Sequence, residues 1–166
     1  MPQNLRPYPI LIGLVVVVVA AVIVVRGEPE DPETQIRWTL AQAAKAAQER
    51  DLGDLMDLVS EKFEGKGMDR RTLKQYVFVQ LQRGAWRRVF FVNTVVEVQP
   101  AGTSARVKTG AILASGENVK TVDDVAGTDA GSYRFDLTME LEEGDTWRVT
   151  TAQYEPTPLQ GLIDVP

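Results

Sequence analysis

From Tyr8 to Val25 the chain reads YPILIGLVVVVVAAVIVV and carries no charged side chain. As a helix rising 1.5 Å per residue the run covers roughly 27 Å, close to the hydrocarbon thickness of a bilayer. A core strand stops after about four to eight residues. A helix on the surface of a globular domain shows a polar face, and this run has none. Inside lipid a helix satisfies every backbone polar group within one segment. Residues 9–26 are therefore predicted as a transmembrane helix behind a short N-terminal tail, residues 1–8.

Whether that segment is retained or cleaved is a second question. A secretory signal has a basic start, an apolar core of about 7–15 residues and small residues at the cut. Arg6 is the one side-chain cation before the run, and Ala20–Ala21 or Val25–Gly27 offer small residues. The length of the run favours a retained signal anchor. A lipid-modified N-terminal cysteine is excluded, because the chain has no Cys. Arg6 and Arg26 flank the run on opposite sides, so the positive-inside rule does not orient it. The working expectation is a single-pass membrane protein with its globular part on the extracytoplasmic side.

Residues 27–33, GEPEDPE, combine two prolines with dense negative charge and no apolar side chain. Charge repulsion and proline stiffness hold such a linker extended. The remainder is long enough for one domain with one core, read as residues 34–156 with a C-terminal tail at 157–166. Net charge is −5, so a nucleic-acid role has no electrostatic footprint. With no Cys and no His there is no cysteine nucleophile, no Ser-His-Asp relay, no Cys/His zinc site and no His-held haem. No cofactor is expected.

Helices come first. TQIRWTLAQAAKAAQERD sets Ile36, Leu40, Ala43 and Ala47 at helical spacing. Leu52, Leu55, Met56 and Val59 stripe a second helix, with Asp51 as its N-cap. A third runs through MDRRTLKQYVFVQLQRG, capped by Asp69, with Leu73, Tyr76, Val77 and Leu81 facing inward and Gly84 as its stop. Strands follow: WRRVFFVNTVVEVQP; SARVKTGAIL, with Ala105, Val107, Thr109, Ala111 and Leu113 on one face; YRFDLTMELE, with Tyr133, Phe135, Leu137, Met139 and Leu141 on one face; and WRVTTAQYEP. This order gives an α+β domain with three helices packed on one face of an antiparallel sheet.

The text QERDLGDLMDLVSEKF, with Phe63 after the second helix, and the closing DTWRVTTAQYEP resemble the nuclear transport factor 2-like superfamily, also called SnoaL-like or cystatin-like. The resemblance covers about residues 34–156. It implies a curved antiparallel sheet wrapped into a cone with a pocket at its wide end. Families of this kind include isomerases, dehydratases, transport adaptors and anchored scaffold domains of bacterial secretion systems. None of the matching positions is a family active-site residue, so no catalytic residue is carried over.

Three constellations remain. Asp51, Asp54 and Asp57 repeat every third residue, which suits a hard cation but equally the solvated side of the second helix; no metal site is expected. Arg83, Arg87 and Arg88 around Trp86 could hold a phosphate or lipid headgroup, or could complement the end of the third helix. The acidic stretch between the second and third strands, residues 116–131, reads as a mobile surface loop. Catalysis in a cone needs a tuned acid/base group, and no Asp or Glu falls on an inward face. The polar residues read as pocket wall are Tyr76, Gln80, Asn93, Thr109 and Tyr154.

The resulting expectation is a membrane-anchored binding or scaffold module at a bacterial-type envelope, contacting an envelope protein or a small apolar ligand; the alternative is a small-molecule isomerase, dehydratase or hydrolase using the pocket. The outward charges of YRFDLTMELE argue for a monomer or weak dimer, since burying unpartnered charge is costly. The tail has Leu159, Leu162, Ile163 and Val165, and is expected to fold back on its own domain, over the mouth of the cone, or to be a peptide for a partner.

Overall fold

The computed structural model describes residues 31–84, 86–116, 118–125 and 130–163, the side chain of Ile163 excepted. The membrane helix expected at 9–26, the tail before it, most of the linker, and Val165 lie outside the described residues. Among the described residues, no helix is long and apolar enough to cross a membrane.

Helix α1 spans Pro32–Glu49. Proline suits the first turn of a helix, where its missing N–H would lack an intrahelical partner anyway, so α1 starts inside the stretch read as linker. Helix α2, Leu52–Asp57, is capped by Asp51, whose carboxylate accepts the Asp54 N–H at 2.9 Å. Helix α3, Arg70–Arg83, is capped by Asp69, which accepts the Thr72 N–H at 2.7 Å. That hydrogen bond holds the Asp69 carboxyl below its ordinary range. Gly84 ends α3 with φ +63°, a left-handed C-terminal residue of the kind glycine supplies without strain. Between α2 and α3 lies a hairpin absent from the sequence reading. Its strands, β1 Glu64–Gly65 and β2 Met68–Asp69, are joined by Lys66 and Gly67, both at positive φ (47° and 74°), as a two-residue turn with the twist of a hairpin requires.

The main sheet is an antiparallel meander, β3 (Arg88–Val98), β4 (Ser104–Ala114), β5 (Ala130–Glu142) and β6 (Thr146–Pro156), paired in that order. The four strands cover the four stretches read as strands, β5 beginning three residues earlier than expected. The register shifts between Val92 and Val95 in β3 and again at Thr138/Met139 between β5 and β6; such irregularities bend strands and add twist. The edge of β6 is covered by residues 58–60: the Ser60 N–H donates to Val149 O and the Val149 N–H to Leu58 O, each at 3.0 Å. Covering an edge in this way blocks further strand addition.

On the inner face Ile36 and Leu40 of α1 pack against Ala105, Val107, Leu137, Met139 and Trp147. Each large apolar side chain buried there contributes about 1.5–3 kcal/mol. The indole N–H of Trp147 donates to Gln35 Oε1 at 2.8 Å, fastening β6 to α1.

The back face differs from the sequence expectation. One end is polar, as read, with Arg106 Nε donating to Asp136 Oδ1 at 2.9 Å and Arg134 3.5 Å from Glu155. The other end is covered by a second core of Ile112, Ala114, Val119, Val125 and Leu162. Two expectations are corrected here. The stretch after β4 is not simply a mobile loop: a 3-10 turn at Val122–Val125 tucks Val119 and Val125 under the sheet. The tail contributes a fourth helix, α4 (Gln160–Ile163), where three were expected, and it lies on the back face instead of over the mouth of the cone.

At the end of β5, Glu142 accepts from the buried Ser60 hydroxyl at 2.6 Å and from Arg148 Nη1 at 3.1 Å. The Ser60 hydrogen bond, then Arg148, hold its carboxyl below the ordinary value of 4.5 despite an opposing desolvation effect. A carboxyl depressed on folding stabilises the native state above its unfolded pKa and ceases to do so as pH falls through the folded one. Glu142→Gln is therefore expected to be less stable than the native chain near neutrality, with the gap closing below pH 4.5. Melting temperatures measured from pH 7 to 3 check this; a gap independent of pH contradicts it.

Candidate functional site

Helix α3 does not seat flush on the sheet. Of its apolar positions only Leu81 is fully buried, while Leu73 and Val77 are half-buried and Tyr76 is 47% exposed. The space beneath is a cavity of about 330 Å³. One wall is α3, through Leu73, Tyr76, Val77 and Gln80; the opposite wall is the inner face of the sheet, through Leu113, Phe135, Val149 and Ala152. The β1–β2 hairpin closes one side with Gly65 and Met68, and Trp86 lines another. Gly65 has a specific reason to be glycine. A Cβ there would sit 2.7 Å from Ala152 O, so any side chain would lever the hairpin off β6.

Tyr133, Phe135 and Tyr154 form an aromatic cluster along the sheet wall, with ring centroids 5.7–6.5 Å apart. Lys66 stands over the Tyr154 ring, its Nζ 4.0 Å from the centroid, a cation–π contact that ties the hairpin turn to this wall. The polar groups of the lining are the hydroxyls of Tyr76, Tyr133 and Tyr154, the Gln80 amide and the Trp86 indole N–H; no carboxylate, lysine or arginine is among the lining residues. The side chain of Gln80 makes no hydrogen bond among the described residues, leaving a donor and an acceptor next to an apolar space. The volume is at the lower end of the range for small-molecule sites, about 300–1,000 Å³. Apolar walls with a few convergent polar groups are the pattern of such sites.

Of the five residues read as pocket wall, the structure brings Tyr76, Gln80 and Tyr154 to this cavity. Asn93 and Thr109 are elsewhere. Asn93 sits at the β3 irregularity with φ +50°, is exposed, and donates through Nδ2 to Leu162 O in the tail. Thr109 is buried against β3, its hydroxyl 2.7 Å from that of Thr94. The sequence reading missed Tyr133, Phe135 and Trp86 as cavity residues. The first two were legible as one face of β5; Trp86 was read as part of the basic cluster instead.

The basic cluster divides. Trp86 enters the apolar cavity, and Arg87 and Arg88 line a separate polar cleft of about 410 Å³ with Arg50 and Gln48. There Arg88 donates to Val119 O at 3.1 Å and to Gln48 Oε1 at 3.3 Å, so it braces the second core. Asp51 is engaged in capping, and no group of acidic residues able to hold a metal ion occurs among the described residues.

No family model matches the chain, and no curated protein matches it in sequence. Solved structures do match. A protein of unknown function with a cystatin-like fold from Nostoc punctiforme superposes with a TM-score of 0.58 at 14% identity, over 76% of this chain and 91% of that one. ActVI-ORFA from Streptomyces coelicolor gives 0.61 at 11% identity, over 78% and 98%. A candidate dehydratase of the NTF2-like family from Streptomyces avermitilis gives 0.59 at 12% identity, over 79% and 99%. The described domain thus has the fold of nuclear transport factor 2-like, cystatin-like proteins: α+β, with a curved antiparallel sheet and four helices. At these identities the likeness extends to the fold alone.

Proposed function

We propose that this domain binds a small, largely apolar molecule in the cavity under α3 and is held at a bacterial-type envelope by residues 9–26. The observation that carries the binding reading is the lining itself: an apolar space with one amide unpaired among the described residues, three tyrosines and no charged group. Such walls attract ligand by the hydrophobic effect, and Gln80 with the tyrosine hydroxyls would orient a single polar substituent. The anchor is supported by the uncharged run from Tyr8 to Val25. Its test is alkaline extraction of membranes carrying the full chain; release into the soluble fraction would remove it from the proposal.

For the cavity, residues 32–166 form one compact unit suited to titration with the neutral fluorophore N-phenyl-1-naphthylamine. Ala152→Phe, which projects a ring into the space, is expected to weaken binding at least tenfold while lowering stability by about 1–3 kcal/mol through overpacking. Unchanged affinity would place the ligand elsewhere. A dehydratase or isomerase acting in the same cavity is the alternative, supported by the kinship in fold to a candidate dehydratase. With no carboxylate in the lining it would have to use Tyr76, Tyr133 or Tyr154 for proton transfer. Turnover of a small apolar substrate that disappears with one Tyr→Phe change would replace the binding reading.

A further inference from the structure

We infer that the outer face of α3 is a docking surface for an anionic lipid bilayer, and that the cavity beneath it opens toward that bilayer. Charge along the chain is segregated. The protein carries a net charge of −5, yet from Arg70 to Val96 there is no Asp or Glu, while Arg70, Arg71, Lys74, Arg83, Arg87 and Arg88 all fall in this stretch. Arg70 is turned inward, donating to Met56 O and Val59 O and pairing with Glu61 at 2.9 Å. Arg71, Lys74 and Arg83 are exposed and make no ion pair among the described residues. The carboxylate next to them in sequence, Asp69, caps the helix through Oδ1 and lies within electrostatic reach of Arg71 alone among the three.

The same face is unusually apolar for a solvated helix. Among the described residues five large hydrophobic side chains are strongly exposed, and three of them are Tyr76 (47%), Phe78 (49%) and Val79 (42%) at the middle of α3. Cations interleaved with exposed aromatic and aliphatic groups, without a carboxylate, make the surface of a helix that lies in the headgroup region. There the apolar groups reach the acyl boundary and the cations meet lipid phosphates. A soluble acidic partner would account for the cations alone and would leave Phe78 and Val79 unexplained.

Tyr76 links this face to the cavity, since it both lines the cavity and stands exposed beside Val79. A domain resting on α3 presents that rim to the bilayer, so an apolar ligand passes between membrane and cavity without crossing water. The docking rests on the helix surface alone; its use for ligand transfer rests on the binding reading above.

The absence of cysteine allows a single-site test with residues 32–166. Val79→Cys is labelled with an environment-sensitive nitrobenzoxadiazole fluorophore and mixed with vesicles at low salt. Lys45→Cys, on the exposed side of α1, is the control. The expected result is a blue shift at position 79, and none at 45, with phosphatidylglycerol vesicles, and no shift with phosphatidylcholine. Adding Arg71→Gln, Lys74→Gln and Arg83→Gln should lower partitioning by about a hundredfold with the melting temperature retained. No shift with phosphatidylglycerol, an equal shift with phosphatidylcholine, an equal shift at position 45, or a shift without vesicles through self-association would each overturn the proposal. Dye binding in the cavity is measured separately, so a failed docking test leaves the binding reading standing.

Discussion

Replacing Trp147 by alanine is expected to cost about 3–5 kcal/mol of stability. The side chain is 1% exposed and touches both α1 and the neighbouring strands. Its removal leaves a cavity that the stiff sheet cannot collapse around, and it cuts the indole hydrogen bond to Gln35. Domains of this size are stable by only about 5–15 kcal/mol, so the variant should be partly unfolded at physiological temperature. Trp147→Phe separates the two contributions. It keeps a ring in the core and loses the hydrogen bond, and should fall well short of the alanine loss, by about 1–2 kcal/mol overall. Urea titration followed by circular dichroism measures both; equal losses for the two variants would mean that volume is not the dominant effect.

Deleting residues 157–166 is expected to lower the melting temperature of the domain by roughly 10 °C, corresponding to about 3 kcal/mol. Leu162 is 4% exposed in the second core, its side chain pressed against Gly110 so closely that a Cβ there would be 3.0 Å from Leu162 Cδ2. Leu159 packs beside it, and the tail is hydrogen-bonded at Thr157 and Leu162: the Thr157 N–H donates to Ser132 O at 3.0 Å, and Asn93 Nδ2 donates to Leu162 O. Without the tail, Ile112 and Val92 face water. Leu162→Ala alone should account for about 2–3 kcal/mol of the loss. A melt unchanged by the deletion would contradict this, and only a lost interaction beside it would mark the tail as a peptide for another protein.

The parts of the fold that sequence made visible are those governed by one local rule. Alternation in YRFDLTMELE placed β5, and Asp51, Asp69 and Gly84 marked helix ends because their chemistry serves the unpaired groups there. The second core was hidden for a different reason. GAILA at 110–114 is apolar on both faces, the pattern of a strand covered on two sides, but nothing local says what covers it. Val119, Val122 and Val125 recur every third residue, the period of a 3-10 turn, and were obscured by the acidic residues between them. The candidate site was half legible. The inward seam of α3 yielded Tyr76 and Gln80, whereas Asn93 sits at the β3 irregularity and turns to the tail.

The hairpin and α3 have a consequence for how such a chain can change over generations. Leu73, Tyr76, Val77, Gln80 and Met68 belong to neither of the two buried clusters, although they form much of the cavity wall. Substitutions there alter the shape and polarity of the cavity while the cores that hold the sheet together stay untouched. Divergence can thus accumulate in the wall without unfolding the frame. Gly65 is the exception: pinned against the Ala152 carbonyl, it is the wall position at which drift should be slowest.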